Sequence, residues 1–206
     1  MFPKEIALDD YAEKGTPAEQ EGLVAENGQA AFDQIFEQYR SMVFNLTFRI
    51  LGDREEALDV SQEVFLTIYR KINEFRGESS LKTWVYRIAV NRASNRCRWW
   101  NRLRRRGTVS LDEHLGRLGD KNLLETLESA GASPEETLLA REKAAEIERS
   151  LLLLPVQQRV AVVMRDVEGM SYEEIAESTE VSLGTVKSRI ARGREFLKRN
   201  LNGALG

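Results

Sequence analysis

The chain has 206 residues, with 30 Lys and Arg against 33 Asp and Glu and a formal charge of −3. A single cysteine, Cys97, and a single histidine, His114, exclude an internal disulfide and leave too few ligands for a zinc site. No apolar run approaches the roughly 20 residues that span a bilayer, and the opening MFPKEIALDD lacks the basic-then-apolar order of a signal peptide.

A helix-rich, cytoplasmic protein with no membrane insertion of its own is therefore expected. The small net charge hides strong segregation. Residues 1–69 carry −9, residues 70–107 carry +10, residues 108–153 carry −5, residues 154–181 carry −4 and residues 182–206 carry +5. Two basic blocks set between acidic ones predict two surfaces that face nucleic acid.

The first twenty or so residues are polar, contain Pro3, Gly15 and Pro17, and show no period, as in a mobile arm. From about Gln29, the spacing of Phe32, Ile35, Phe36, Tyr39, Val43 and Leu46 predicts a long amphipathic helix ending near Gly52. Asp53, with Glu56 three residues on, starts a second helix whose inward stripe is Ala57, Val60, Ser61, Val64, Phe65, Ile68 and Ile72. Its other side presents Asp59, Gln62 and Leu66, with Glu63 at the edge. A solvated helix face is the default for such a set, yet an exposed Leu66 among acids also suits a protein partner with a basic docking surface.

Phe75 to Trp100 forms the first basic block. Gly77 to Ser80 reads as a turn, and Ser80 caps a helix with core positions Leu81, Trp84, Val85, Ile88 and Ala89. Lys82, Arg87, Asn91, Arg92, Asn95, Arg96 and Arg98 fill the other faces, interleaved with Tyr86, Trp99 and Trp100. Cations hold a phosphate backbone while aromatic and guanidinium planes stack on unpaired bases, at about 1–3 kcal/mol per base. Tyr86 and Trp84 could equally be core residues, with the arginines serving solubility; the near absence of acids favours nucleic acid.

Residues 107–132 have weak period, several glycines and mixed charge, and read as a linker with one short helix; His114 falls within it. Ser133-Pro134-Glu135-Glu136 restarts a helix through Leu138, Ile147 and Leu151. Leu154-Pro155 breaks it, and a further helix with Val156, Val160, Val163, Met164 and Val167 ends at Gly169. Ser171 and Glu174 form a capping box, Thr179-Glu180-Val181 interrupts, and Ser182 caps a last helix with the stripe Leu183, Val186, Ile190, Gly193, Leu197 and Leu201. Its outer side shows Thr185, Lys187, Ser188, Arg189 and Arg192, a set that suits a recognition helix in a major groove. A bundle hairpin with a solvated basic face gives the same period, but the +5 charge of this tail favours DNA.

No Gly-rich phosphate loop and no nucleophile paired with a base occurs, so an enzyme is not expected. The stretches DREEALDVSQEVFLTIYRKINEFRGESSLKTWVYRIAVNRA and LPVQQRVAVVMRDVEGMSYEEIAESTEVSLGTVKSRIARGREFLK, in this order and spacing, resemble the extracytoplasmic-function (ECF) group of bacterial sigma-70 family sigma factors. The resemblance covers about residues 25–105 and 134–200. It implies an all-α protein of two small helical domains joined by a flexible linker: an arm over 1–24, a first domain over 25–106, the linker over 107–132, and a second domain with the helix-turn-helix over 133–206.

Such a protein binds core RNA polymerase, melts and reads promoters, and needs no cofactor. The resemblance places polymerase contacts at Asp59, Gln62, Glu63 and Leu66. It places readers of the single-stranded -10 element at Arg76, Ser79, Ser80, Lys82, Tyr86, Arg87, Asn91, Arg92 and Asn95. Thr185, Lys187, Ser188, Arg189 and Arg192 would read the duplex -35 element. It further implies stress-response target genes and an anti-sigma factor as partner, with the acidic linker threading near the polymerase active cleft. The rival is a stand-alone helix-turn-helix regulator that dimerises on palindromic sites. That reading gives the basic aromatic block no task.

Overall fold

The computed structural model describes residues 28–105 and 134–204, with side chains over 29–103 and 144–201. The arm, the linker with His114, Ser133 and the side chains of Arg104 to Arg106 lie outside these residues. Every regular element among the described residues is helical, in agreement with the all-α expectation.

Helix α1 (Gly28–Leu51) buries Ala31, Ile35, Tyr39, Val43, Leu46 and Ile50, spaced three and four apart along one seam. Gly52 ends it at φ +78, a conformation that favours a residue without Cβ, and its N–H donates to the Phe48 carbonyl at 2.7 Å. Asp53 then accepts the Glu56 N–H at 3.0 Å and starts α2 (Arg54–Lys71). The two-residue connection folds α2 back onto α1. Where they meet, the buried Thr47 and Ser61 hydroxyls bond each other at 3.0 Å, and each also reaches a main-chain carbonyl. Small satisfied hydroxyls here let the helices approach without stranding a polar group.

A single tight turn over Ile72–Glu74 leads into the bend 75–80, after which Ser80 accepts the Thr83 N–H at 3.1 Å. Helix α3 (Leu81–Arg105) lies against both α1 and α2 through Leu81, Val85, Ala89, Val90 and Ala93.

In the second half, α4 (Pro134–Leu153) runs to the Leu154-Pro155 break and α5 (Val156–Val162) follows. Val160 through Met164 are five consecutive buried residues, so the end of α5 and the turn after it are enclosed on every side. α5 is a central helix, with α1, α3, α4 and α7 packed about it. Its last turn, Val163–Val167, widens: the Glu168 N–H bonds the Val163 carbonyl five residues back at 3.0 Å. Gly169 at φ +69 closes that end. Helices α6 (Tyr172–Thr179) and α7 (Leu183–Ala204) complete the chain.

The buried residues of both halves form one continuous cluster. Arg159 of α5, itself buried, ties the halves at their helix ends. Its guanidinium bonds the Ile50 carbonyl at the end of α1, and the Leu152 and Leu154 carbonyls at the end of α4 at 2.6 and 3.1 Å. These carbonyls have no partner inside their own helices, and a cation there also suits the negative end of a helix dipole.

Candidate nucleic-acid interface

The turn between α6 and α7 is built from local hydrogen bonds. Ser171 accepts the Glu174 N–H at 3.1 Å while the Glu174 carboxylate accepts the Ser171 N–H at 2.7 Å, a complete capping box. Glu180 adopts φ 54, left-handed in a residue other than glycine, which lets the Val181 N–H return to the Ala176 carbonyl at 3.1 Å. Ser182 then accepts the Thr185 N–H at 3.3 Å and opens α7.

Val186, Ile190, Gly193 and Leu197 bury one face of α7, as the stripe predicted. At Gly193 the backbone approaches α5 so closely that a Cβ would stand 2.5 Å from the Val162 Cγ2. The outward face carries six cations. Lys187, Arg192 and Lys198 are exposed and form no ion pair among the described residues. Arg189 donates to Gln157 at 2.6 Å, Arg194 is paired with Asp166, and Arg199 with Glu195 at 3.4 Å. Thr185 shares a hydrogen bond with Ser182, and Ser188 donates to the Thr185 carbonyl. Lys187 and Arg192 are thus the least encumbered of the -35 candidates.

Among the -10 candidates, Arg76, Ser80, Asn91, Arg92 and Asn95 are exposed, and Ser79, Lys82 and Arg87 are half-buried. Asn95 accepts from Arg98 at 2.5 Å, and Trp99, also exposed, meets Trp100 edge-on at 4.8 Å. Trp84 packs against Phe75 with the two rings tilted, 5.3 Å between centroids. Tyr86 stands apart from the set: its ring is 1% exposed and its hydroxyl donates to Glu168 at 2.7 Å. Burial, then the neighbouring Glu168 carboxylate, pushes the phenol pKa far up, so Tyr86 stays a neutral donor. Arg87 is likewise taken, by Glu177 at 3.1 Å.

On α2, Asp59, Gln62 and Leu66 lie in solvent, Leu66 at 55% exposure. Glu63 is partly withdrawn. Arg96 bridges it at 2.7 Å to Glu56 at 2.5 Å, and Arg92 reaches Glu63 at 3.9 Å and Thr67 at 2.9 Å. Partial burial pulls the Arg96 pKa down, but Glu56 and Glu63 outweigh it and the net direction is up. Glu63 and Arg92, assigned to different partners from the sequence, therefore hold each other.

Two residues beside Leu66 were missed. Tyr69 is 50% exposed and Phe36, placed by its period in the core, is 38% exposed. They rest on Phe32 and Phe65 as edge-on pairs at 5.2 and 4.8 Å, a rigid apolar shelf of the kind that anchors interfaces. Tyr69 lies four residues after Phe65 on the same helix, the one local sign of it. No group of metal-binding side chains occurs among the described residues, and no described helix is long and apolar enough to cross a membrane.

Comparison with known proteins places this geometry. The family model for Sigma-70 region 2 matches residues 35–106, and that for Sigma-70, region 4 matches residues 144–197. The chain is 36% identical over 182 residues to the RNA polymerase sigma-H factor of Pseudomonas aeruginosa, covering 88% of this chain and 92% of that one. It is 32% identical to the ECF sigma factor SigW of Bacillus subtilis (86% and 92% covered) and 36% identical to the ECF sigma-E factor of Escherichia coli (84% and 88%). Among solved structures, CnrH in complex with the cytosolic domain of CnrY aligns at TM-score 0.60 with 19% identity, covering 89% and 95%. The sigma factor RpoE in complex with the anti-sigma factor NepR from Bartonella quintana aligns at 0.56 with 20% identity, covering 83% and 96%. These relatives are transcription initiation factors rather than enzymes, and the chain belongs to the ECF sigma factors of the sigma-70 family.

Proposed function

We propose that this sigma factor divides its work among three helices: α2 docks on core RNA polymerase, α3 holds the single-stranded -10 element, and α7 enters the major groove of the -35 element. The observation that carries this division is the sorting of exposed side chains. α7 leaves Lys187 and Arg192 unpaired in solvent, α3 and the bend before it leave Arg76, Asn91 and Asn95 exposed, and α2 offers Asp59, Gln62 and Leu66 beside the Phe36–Tyr69 shelf. Residues 25–106 and 133–206 act as the two promoter-binding units, with 107–132 as the connection between them.

Neither basic surface is large, so each alone binds DNA weakly at physiological salt. Carrying both on one polymerase supplies the effective concentration that makes promoter binding tight. An anti-sigma factor is the natural regulator, as the structurally similar sigma factor RpoE is held by the anti-sigma factor NepR. It would act by covering α2.

The test is transcription in vitro with bacterial core polymerase on the host's genomic fragments. Discrete new start sites that vanish with Asp59→Lys support the division. Polymerase-independent, dimeric binding to palindromic DNA with no new starts overturns it and favours a stand-alone regulator.

A further inference from the structure

The -10 candidates on α3 stop at Asn95, but the exposed side of the helix continues. Arg92, Asn95, Trp99 and Arg102 follow at steps of three, four and three, so they share one face, and all four are exposed. Trp99 lies one turn beyond Asn95, about 6 Å along the axis. The ion pairs of α3 belong to Arg87, Arg92 and Arg96. Arg98 and Arg102, beside the indole, are exposed and make none among the described residues; Arg98 donates to the neutral Asn95 amide at 2.5 Å.

Trp99 is 47% exposed and meets Trp100 edge-on, with centroids 4.8 Å apart and planes at 72°. Whichever ring presents its edge, Trp100 leaves at least one face of the Trp99 indole uncovered. Trp100 is itself half-buried and braces the outer ring. A single exposed aromatic is ordinary on a soluble protein. This one is braced, stands beside two cations outside any ion pair, and prolongs the surface of Asn91, Arg92 and Asn95. Among the described residues no other large apolar side chain of α3 is exposed, so the patch lacks the apolar centre that a protein partner uses. A flat face beside guanidinium groups matches an unpaired nucleotide: the base covers the ring and the neighbouring phosphates meet the cations.

We propose that Trp99 is a stacking post for one unpaired base, next along the strand from those met by Asn91 and Asn95, with Arg98 and Arg102 on the adjoining phosphates. This rests on the reading of α3 as the -10 helix and lengthens its footprint by one helical turn. Every base has a π-face, so the position tolerates any base but not the loss of one.

The test uses holoenzyme, the full chain with core polymerase. The probe is a fluorescent promoter fragment from a mapped start site, opened over the -10 element by mismatches, with one base at a time removed from the strand that α3 holds. For the wild type, one abasic position beside those that Asn91→Ala and Asn95→Ala affect weakens binding about tenfold, while exchanging its base changes binding less than about twofold. Trp99→Ala gives the same loss on the intact strand and no further loss on the abasic one. Trp99→Phe restores most of the binding, and Trp99→Leu, apolar but not aromatic, does not. Tm and co-elution with core polymerase stay unchanged in all three. Additive losses from Trp99→Ala and every abasic position, or equal binding by Trp99→Leu and the wild type, overturn the stacking post; the -10 reading of α3 survives if Asn91→Ala still weakens binding. Lost co-elution in Trp99→Ala marks a contact with polymerase and overturns the proposal. No effect from Asn91→Ala, Asn95→Ala or any abasic position overturns the -10 reading itself and the post with it.

Discussion

Gly193→Ala offers a direct measure of how closely α7 is seated. In an ordinary helix interior this substitution is favourable by about 0.8–1 kcal/mol, because alanine loses less backbone freedom. Here the new methyl would lie 2.5 Å from Val162 Cγ2, against an ordinary contact range of 3.4–4 Å. Val162 is 0% exposed and β-branched, so it cannot swing aside. Either α7 lifts by about 1 Å or the core is strained, at a cost of about 1–3 kcal/mol. The net expectation is a loss of about 1 kcal/mol, or roughly 2–4 °C in Tm for a chain of this size. The sharper readout is a cycle with Val162→Ala. That change removes the obstructing Cγ2, so Gly193→Ala in its background should be stabilising, with a coupling of about 2 kcal/mol. Chemical denaturation of the four proteins decides it. A stabilising Gly193→Ala in the wild-type background would refute the close crossing.

Arg192→Ala should weaken promoter-complex formation by about tenfold and lower the salt slope of binding by about 1, with unchanged thermal stability, as read by DNA binding of the holoenzyme at several salt concentrations. Asp59→Lys should abolish association with core polymerase without moving Tm, whereas Glu63→Ala should also destabilise by about 1 kcal/mol, since it unties Arg96 and Arg92. Size-exclusion co-elution and thermal melts separate the two. Burial holds the Glu148 carboxyl above the usual carboxylate range, against the pull of Arg49, and Glu168 is raised in the same way beside Arg49, Lys82 and Tyr86. A carboxyl raised in the native state binds more protons there than in the unfolded chain. Stability therefore falls as pH rises from the ordinary value near 4.3 through the raised one. Glu148→Gln should raise Tm by a few degrees at pH 7.5 and flatten the gain that the wild type shows on mild acidification.

Much of the fold was legible because its signals are short-range. Asp53, Ser80, Ser171 and Ser182 each cap the helix that the residue three places on marks, and the stripe of α2 and the middle of the α7 stripe, Val186 to Leu197, are buried as their periods require. What escaped reading depends on distant partners. Nothing near Tyr86 announces an acceptor 82 residues away, and nothing near Arg87 announces Glu177. The pairing of Glu63 with Arg92 and Arg96 joins residues about thirty positions apart, so each looked free in its own helix. The left-handed Glu180 was hidden for another reason. That conformation favours glycine, and here the turn forces it on a glutamate through the return bond from Val181.

The widened turn at Val163–Val167 behaves as a one-residue insertion absorbed inside a helix. Each residue of an α-helix advances the chain by about 100° around its axis, so the extra one resets the phase of everything after it. Upstream, α5 keeps Val162 aimed at Gly193. Within the widened turn, Arg165 bonds the Met170 carbonyl at 2.7 Å and lies 5.0 Å over the Tyr172 ring, while Asp166 faces Arg194. A regular helix of the same length would serve one of these sets and turn the other away. The bearing of α7 relative to the core is thus tied to a register choice made before the helix-turn-helix begins. Sequences that drop one residue there must re-aim the recognition helix by other means.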